Sequence, residues 1–211
     1  MNSENPSKPK PSRRQRSKAD KMRRILAAGE KLFSKQGFDG TTVQQIADEA
    51  DVAVGTLFLY VSDKSELLLR LFHHATEHEL GQAVRRMKAG KRFLPAVGRF
   101  LEDLIVPYEK HRELAKVFWR EFLFHKGKTR AELDKQASEI LQALAEVIAR
   151  AQKRGDIDKR VDPGVGALQL YAIFHATLAF HLADCLPGTS PSLTLNALLH
   201  SAWLGMAPRS S

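Results

Sequence analysis

The sequence lacks the features of a secreted or membrane protein. Its single cysteine, Cys185, excludes an intrachain disulfide framework and a cysteine-rich metal site. The basic N-terminal stretch is not followed by the apolar run of about 7 to 15 residues that a signal peptide needs. The longest apolar stretch, 165–186, is interrupted by a glutamine, two histidines and an aspartate, which are costly in lipid. We therefore expect a cytoplasmic protein with no membrane partner.

The sequence also offers no pattern typical of catalysis. It has no recognisable pairing of a nucleophile with a base, no glycine-rich phosphate loop and no paired acid and base, so we expect no catalytic residue, no enzyme activity and no cofactor. His73, His74 and His78 are close in the chain, and the spacing of the last two suits a metal ion. Two ligands do not complete a zinc site, and we expect solvent-exposed histidines and no metal.

Basic residues are concentrated at the start of the chain. Lys and Arg outnumber Asp and Glu by 33 to 24, and residues 1–24 carry nine basic and two acidic side chains, or +7 of the formal +9. Residues 1–16 are rich in proline, serine and charge, and they have too little apolar surface to order themselves. We predict a disordered basic arm over 1–16.

Helical periodicity begins at Ser17 and continues to the end of the chain, with no strand pattern. Gly37 is expected to end the first helix with a positive φ, which lets Phe38 fold back on Phe33. Two short helices follow at 43–50 and 54–60. Longer helices are predicted at about 63–88, 91–109, 112–126, 129–154, 163–185 and 191–206. The sequence thus predicts an all-α protein of about nine helices, with domains at 17–62 and 63–211.

The two short helices have the size and apolar spacing of a helix-turn-helix. Thr42 and Gln45 form a capping box at the start of the first. The small side chain of Ala47 permits close approach of the second helix, and Ile46, Val52 and Leu57 are expected to form a small core. This arrangement leaves the outer face of 54–60 free to enter a DNA major groove.

Residues 25–68 resemble the DNA-binding region of tetracycline-repressor-type (TetR family) regulators. The likeness covers 23 to about 70 closely, whereas the rest of the chain agrees only in length and helix count. The residues that carry it, in one order and spacing, are Gly37, Phe38, Thr41, Thr42, Val43, Ile46, Ala47, Gly55, Thr56, Leu57, Tyr60, Lys64, Ser65, Glu66, Leu67 and Leu68.

The resemblance implies a DNA-binding role for particular residues. Thr42, Tyr60 and Lys64 are expected to contact phosphates and so to position the protein. The bases are expected to be read by exposed residues of the second short helix and one residue before it. These are Val54, Gly55, Thr56, Leu59 and, as a further candidate, Gln44.

Four positions depart from the usual family pattern. Asp51 stands where glycine is common, although Asp also tolerates the left-handed conformation. Ala53 replaces a Ser or Thr cap, Phe58 a frequent Tyr, and Val61 a usual Phe. Loss of a hydroxyl cap and of a phosphate donor shifts the expected DNA contact toward Tyr60, Lys64 and the basic arm.

The basic arm has two interpretations. Arg13, Arg14, Arg16 and Lys18 either track phosphates and enter a flanking minor groove, or they belong to a solvated tail. Beside a helix-turn-helix we favour contact with DNA, because each phosphate that is neutralised releases counterions.

Aromatic residues in the C-terminal half exceed what one apolar stripe requires. Ordinary core packing explains any one of them, but as a group they suit the apolar cavity of a small-molecule site. The resemblance makes such a site expected, with an apolar or aromatic effector of unknown identity. The predicted lining residues are Phe100, Tyr108, Trp119, Phe122, Tyr171, Phe174 and His175.

The last two helices are so apolar that one partner helix cannot cover them. In the TetR family this pair forms a four-helix dimer interface, and a two-fold dimer suits a palindromic operator on double-stranded DNA. The residues predicted at the homodimer interface are Leu178, Leu182, Leu195, Leu199 and Trp203.

The resemblance implies a repressor that a small molecule releases from DNA by a population shift carried through helix 63–88. Two alternatives stay open at this point. One is a ligand-independent DNA-binding dimer whose cavity is filled by its own side chains. The other is a cytosolic enzyme with a vestigial helix-turn-helix.

Overall fold

The computed structural model describes residues 12–208, the side chain of His78 excepted. These residues form nine helices and no strand, which confirms the predicted all-α class. The helices are α1 (Arg13–Gln36), α2 (Val43–Glu49), α3 (Val54–Phe58), α4 (Lys64–Ala89), α5 (Phe93–Lys110), α6 (Arg112–Phe124), α7 (Lys128–Arg154), α8 (Pro163–Leu182) and α9 (Pro191–Met206). The chain divides between Leu67 and Leu68 into two compact units.

Helix α1 begins at Arg13, so the prediction that residues 13–16 belong to a disordered arm is wrong. The reason is a capping box at Ser12. The Ser12 hydroxyl accepts a hydrogen bond from the Gln15 amide at 3.2 Å, and the Gln15 side-chain oxygen accepts from the Ser12 amide at 2.7 Å. Two amides that a helix start leaves unpaired are thereby satisfied, and the helix extends into the basic segment. Residues 1–11 of the predicted arm lie outside the described residues.

The end of α1 follows the prediction from Gly37 and Phe38. Gly37 has a φ of +77°, and its amide donates to the Phe33 carbonyl at 3.0 Å. The Phe33 and Phe38 ring centroids are 5.4 Å apart, and both side chains are buried. The sharp turn therefore returns the chain to its own helix and fixes where α2 begins.

The turn between α2 and α3 contains a left-handed residue that is not glycine. Asp51 has a φ of +52°, which few residue types other than Gly, Asn and Asp adopt at low cost. Its carboxylate lies 2.9 Å from Arg24 Nη1 of α1. The Val52 amide donates to the Ala47 carbonyl at 3.0 Å and closes the turn. The expected tolerance of Asp at this position is thus confirmed.

In the second unit, α8 packs against α7 and α9, and α5 packs against α9, α6 and α7. Proline starts both of the last two helices. Asp162 caps α8 by accepting from the Val165 amide at 2.9 Å, and Ser190 caps α9 by accepting from the Leu193 amide at 3.2 Å. Pro163 and Pro191 then stand at first helical positions, where a missing amide proton costs nothing.

Helix α8 is long and apolar enough to cross a membrane by length and composition alone. A helix in the core of a protein can have the same length and composition. In α8, 44% of the most apolar 18-residue segment is buried inside the unit. Gly166 permits part of this packing, because a Cβ there would lie 3.0 Å from Ile148 Cδ1 of α7. The close approach of α7 explains why so apolar a helix has its place in this fold.

We expect substitutions of Asp51 to separate the backbone requirement from the ion pair. Asp51→Gly should change the free energy of unfolding by less than about 0.5 kcal/mol, because glycine accepts the positive φ and an exposed ion pair contributes little. Asp51→Val should lower it by about 1 to 2 kcal/mol, because a β-branched residue is strained there. Urea unfolding followed by circular dichroism measures both, with Asp48→Val as an exposed helical control. An equal loss for both valine variants would contradict the backbone explanation.

Candidate functional site

Helix α3 has one buried residue and otherwise faces outward within the first unit. Leu57 is 1% exposed, whereas Leu59 is 79% and Phe58 50% exposed. Gly55 is exposed, and Val54, Thr56 and Tyr60 are half-buried. The described part of the first unit therefore leaves the predicted reading surface uncovered. Phe58, which sequence reasoning did not place among the DNA-binding residues, belongs to the same exposed surface.

The start of α3 lacks a side-chain cap, as the sequence predicts from Ala53. The cap residue makes no side-chain hydrogen bond, and the helix is held by backbone bonds from the Thr56 and Leu57 amides to the Ala53 carbonyl, at 2.8 and 3.0 Å. This very short helix depends on its contact with α2 rather than on its own propensity.

Thr42 and Gln44 lie at the exposed start of α2. Thr42 is the N-cap, and its hydroxyl accepts from the Gln45 amide at 3.2 Å, which confirms the predicted capping box. Gln44 is exposed, and its amide nitrogen donates to Asp48 at 2.8 Å. Both side chains are accessible for contact with a partner of the first unit.

Lys64 makes contacts that the sequence does not reveal. Its ammonium donates to the carbonyls of Phe38 and Thr41, at 2.7 and 2.9 Å, and lies 4.3 Å from the centre of the Phe38 ring. Two of its three N–H donors therefore hold the loop between α1 and α2. A structural role accompanies the phosphate contact that was predicted for it.

The basic residues at the start of α1 are all exposed. Arg13, Arg14, Arg16 and Lys18 lie on its first turns rather than on an irregular arm. A helix presents such charges at fixed spacing and with less conformational freedom than a flexible tail.

The second unit contains a small cavity lined by α4, α5, α6, α7 and α8. Its volume is about 40 Å³, which suffices for a water molecule but not for a typical small-molecule ligand. Six of the seven predicted residues line it. These are Tyr108, Trp119, Phe122, Tyr171, Phe174 and His175.

Phe100 does not line this cavity and is not brought together with the other predicted lining residues; it borders a separate pocket at the end of α4 and the start of α5. It is 1% exposed and belongs to the core of the second unit. Phe100 and Tyr108 share a stripe of α5, but eight residues of helix separate their positions by about 12 Å along the axis. The cavity contacts only the C-terminal part of that stripe, at Leu104 and Tyr108.

Aromatic rings form a contiguous wall of the cavity. The His175 ring is edge-on to Trp119 and Tyr171, with centroid separations of 5.0 and 4.4 Å. Phe118, which the sequence analysis left out of the lining, stacks on Phe122 at 5.6 Å. Its helical spacing of four residues from Phe122 is the pattern that could have identified it.

Burial keeps the ionisable groups of the cavity neutral. Burial lowers the pKa of His175 to about 4. Burial, with a smaller effect of Asp134, raises the pKa of Tyr171 to about 12. Burial and the neighbouring Tyr171 raise the pKa of Tyr108 well above its usual value. At pH 7 the cavity therefore contains an uncharged imidazole and two intact phenols.

Four of the five predicted dimer residues are buried within the chain itself, so that prediction is wrong for them. Leu178, Leu182, Leu195 and Leu199 are each at most 5% exposed and pack in the core of the second unit. Trp203 is half-buried. Apolar residues surround α8 and α9 on all sides, so the sequence does not distinguish the inner face from the outer one. The exposed apolar residues of these helices are Val165, Leu168, Phe180, Leu193, Leu198 and Leu204.

Two histidines of α4 that are close in the sequence, His73 and His74, do not share contacts. His73 Nδ1 lies 4.0 Å from Glu77, and His74 is exposed. No group of three or more potential metal ligands occurs within the part of the chain that the structure describes.

Comparison with known proteins finds transcriptional regulators that are similar to this chain. Residues 25–71 match the family model described as "Bacterial regulatory proteins, tetR family". The chain is 36% identical over 69 residues to the uncharacterized HTH-type transcriptional regulator YerO of Bacillus subtilis (strain 168), covering 33% of this chain and 22% of that protein. It is 29% identical over 125 residues to the HTH-type transcriptional repressor KstR of Rhodococcus jostii (strain RHA1), covering 59% and 58%. The chain thus spans less than two thirds of these curated relatives.

A solved structure extends the likeness to both units. Thermus thermophilus FadR, a TetR family transcriptional repressor in complex with lauroyl-CoA, superposes with a TM-score of 0.72 at 24% identity. The match covers 90% of this chain and 97% of that one. At this identity the likeness concerns the fold alone.

The depressed pKa of His175 predicts an acid-sensitive stability. Between pH 6.5 and about 4 the unfolded chain binds a proton at His175 that the folded chain does not. Stability should be undiminished by this group above pH 6.5, and it should fall as the pH decreases through that window, by up to about 3 kcal/mol. Chemical unfolding at a series of pH values measures the loss. His175→Gln should reduce it, whereas His74→Gln, at an exposed position, should not. If the free energy of unfolding depends on pH in His175→Gln as it does in the parent chain, this prediction is wrong.

Proposed function

We propose that this chain, whose residues 25–71 match the TetR family model, is a DNA-binding transcriptional repressor of that family and that a small molecule releases it from its operator. The observation that carries the proposal is the outward face of α3. Leu57 holds the helix to the first unit, while Gly55, Phe58 and Leu59 stay exposed. A helix of a helix-turn-helix reads DNA through such a face in the major groove.

We assign positioning and reading roles to different residues. Tyr60, Thr42 and the exposed basic residues of α1 contact phosphates, which gives affinity without sequence preference. Val54, Gly55, Thr56 and Leu59, with Gln44 from α2, contact base edges. The hydroxyl group of Thr56 can hydrogen-bond to a base edge, and the side chain of Leu59 suits the methyl group of thymine.

A homodimer follows from the same proposal. Two-fold symmetry lets two copies of α3 read two half-sites of a palindromic operator about one helical turn apart. The exposed apolar residues of α8 and α9 support a second copy as the occupant of that face, because such residues in number mark an interaction surface. Because the proposed partner is bacterial DNA, we propose a cytoplasmic location for the protein.

Effector control is supported by the cavity of the second unit and by the relatives. KstR is named as a repressor, and the FadR structure holds lauroyl-CoA. We propose that the effector here is likewise a small molecule with a large apolar or aromatic part. It would stabilise a conformation in which the two copies of α3 no longer match the operator spacing, with α4 as the connecting element.

One observation favours a second candidate function. The cavity of about 40 Å³ is nearly filled by the chain's own side chains, as in a DNA-binding dimer that responds to no ligand. The two functions differ in one measurable respect. Only the ligand-responsive repressor dissociates from its operator when a small molecule stabilises the protein.

The experiment that tests the proposal has two stages. Selection of bound sequences from a random DNA pool identifies the operator, and a palindrome is expected. A small-molecule library is then screened for thermal stabilisation, and stabilising compounds are assayed for release of that operator. Enrichment of no sequence would refute DNA reading, whereas an operator that no stabilising compound releases would favour the second candidate.

Two conservative substitutions, one in α3 and one just after it, should separate the two kinds of contact. Tyr60→Phe removes only a hydroxyl, and it should weaken binding to all DNA sequences alike, by about 2- to 10-fold. Thr56→Val keeps the shape of the side chain and should change the preferred sequence. Fluorescence anisotropy on the operator and on single-base variants measures both. Lys64 is unsuitable for this test because it also holds the loop between α1 and α2. A uniform loss for Thr56→Val would contradict its reading role.

A charge on the exposed face of α8 should disrupt the dimer. Leu168→Glu places a carboxylate where we propose a second copy packs, and it should raise the dimer dissociation constant at least about 10-fold. Leu123→Glu on α6 is a matched control, since the two leucines are 58% and 61% exposed. Sedimentation over a range of concentrations distinguishes the variants. Equal dissociation of both, or of neither, would count against this interface.

A further inference from the structure

The cavity of the second unit contains polar atoms without a partner. Trp119 Nε1, Gln136 Nε2 and His175 Nε2 are buried and make no hydrogen bond to any described residue. All three side chains line the cavity. Leaving one such atom unsatisfied is unfavourable, and nearly all buried polar atoms in native proteins have a partner. Three in one small space indicate an occupant with complementary polar atoms, which is water in the resting protein and a ligand when one replaces that water.

The charge of that ligand is constrained by the lining. No described residue that lines the cavity is charged at pH 7, since burial keeps His175 neutral and both tyrosines protonated. A charged group placed there would lose its hydration and find no counter-ion, which is strongly unfavourable. The part of a ligand that enters the cavity is therefore uncharged.

The flat shape of the ligand follows from the rings around it. Aromatic side chains make up six of the thirteen lining residues. Several meet edge to face, as Trp119 does with Phe122 at 5.9 Å and with His175 at 5.0 Å. A further aromatic ring extends such an array through stacked or edge-on contacts, worth about 0.5 to 1.5 kcal/mol each beyond the buried area.

The hydrogen-bonding character of the ligand is set most clearly by Trp119. An indole nitrogen only donates, so its partner is an acceptor. The Gln136 amide is already held at one end, with its Oε1 3.2 Å from the Thr76 hydroxyl. Rotation of the amide exchanges its oxygen and nitrogen, so the free end offers a donor or an acceptor to suit the ligand. The His175 ring has the same property through its two tautomers.

Resting on the effector function proposed above, we propose that this cavity binds an uncharged aromatic molecule whose oxygen acceptor, such as a ketone or ester carbonyl, accepts a hydrogen bond from Trp119 Nε1. Gln136 and His175 complete the polar contacts to the same or a neighbouring substituent. The ring occupies the space between the aromatic side chains of α6 and α8. This chemistry distinguishes the ligand from a purely aliphatic chain, which would leave all three nitrogen atoms unsatisfied.

Room for the ring comes from α6. A cavity of about 150 Å³ holds benzene, so roughly 100 Å³ must be added to the present volume. Phe122 is half-buried and can turn toward solvent, unlike the buried Phe118 and Phe174, while Trp119 keeps its indole N–H in the cavity. Arg130 holds this wall, with its guanidinium 4.4 Å from the centre of the Phe122 ring and one N–H donating to the Phe122 carbonyl. Entry of the ligand thus displaces the end of α6 from Arg130.

The experiment uses small probes that differ in one property. Acetophenone carries a ring and a carbonyl, ethylbenzene has nearly the same shape without the acceptor, and benzoate carries a charge. Lauroyl-CoA, which is present in the FadR structure of similar fold, serves as the probe with an acyl chain. The full-length chain with Trp203→Phe is used, because Trp119 is then its one tryptophan. Binding is followed by Trp119 fluorescence, and the indole N–H by its NMR resonance.

Acetophenone should bind about 3- to 10-fold more tightly than ethylbenzene, since one hydrogen bond is worth about 0.5 to 1.5 kcal/mol, and benzoate should bind most weakly of the three. The Trp119 N–H resonance should move downfield with acetophenone and not with ethylbenzene. In a Trp119→Phe variant, followed by calorimetry, the preference for acetophenone over ethylbenzene should disappear while ethylbenzene still binds. This readout compares two ligands on one protein, so a general loss of stability does not imitate it.

The other outcomes overturn the proposal in distinguishable ways. Equal affinity for acetophenone and ethylbenzene would refute the proposed hydrogen bond to an acceptor atom of the ligand. Tightest binding of benzoate would refute the proposal that the ligand is uncharged. Binding of lauroyl-CoA alone refutes the aromatic ligand but leaves effector control intact. If none of the four probes binds, this proposal fails, and failure of the library screen as well would remove the effector function itself.

Discussion

The proposed DNA-binding surface depends on the burial of Leu57. Helix α3 has only five residues, too few to be stable alone, and Leu57 is the one residue of it that is fully buried. Ile46 and Ala47 of α2 are buried in the same unit, and α2 and α3 contact one another. With Leu57 fixed inward, helical geometry directs the other side chains sideways or outward. The same contact therefore supplies both the stability of the helix and the orientation of its exposed face.

In the second unit, by contrast, the helices have more apolar surface than one core can bury. Much of that surface meets at α8, which packs against α7 and α9. The aromatic residues that remain enclose a cavity whose polar atoms are incompletely paired. A packed core without a ligand role gains nothing from a buried indole N–H that has no acceptor. The cost of leaving such atoms unpaired is offset when a ligand supplies the missing acceptor.

Much of this fold was predictable from local patterns, because helix signals act over a few residues. The order of the helices, the capping box at Thr42 and the left-handed Asp51 all follow from side chains close in the sequence. Six of the cavity residues were also identified from their type and helical spacing. The error at the start of α1 had a local cause too, since the capping box at Ser12 was present in the sequence and was outweighed by the composition around it.

The remaining errors concern choices that local patterns do not make. Phe100 and Tyr108 occupy one stripe of α5, and only the packing of the other helices decides which of them meets the cavity. Leu178 and Leu199 are apolar residues on helices that are apolar all round, so their inward orientation depends on where α7 and α5 lie. The partly closed state of the cavity is likewise a property of side-chain packing at α6. Each of these is set by contacts between residues far apart in the chain.

The exposed leucines and valine of α8 and α9 have a consequence for how DNA binding would depend on the concentration of the protein. If a second copy covers them, the concentration of dimers able to hold two half-sites at once varies with the square of the free chain concentration. Dilution would then reduce both operator occupancy and resistance to unfolding, while DNA and effector would each shift the assembly equilibrium by mass action. A cell could relieve repression by lowering the amount of protein alone, without any change in the molecule.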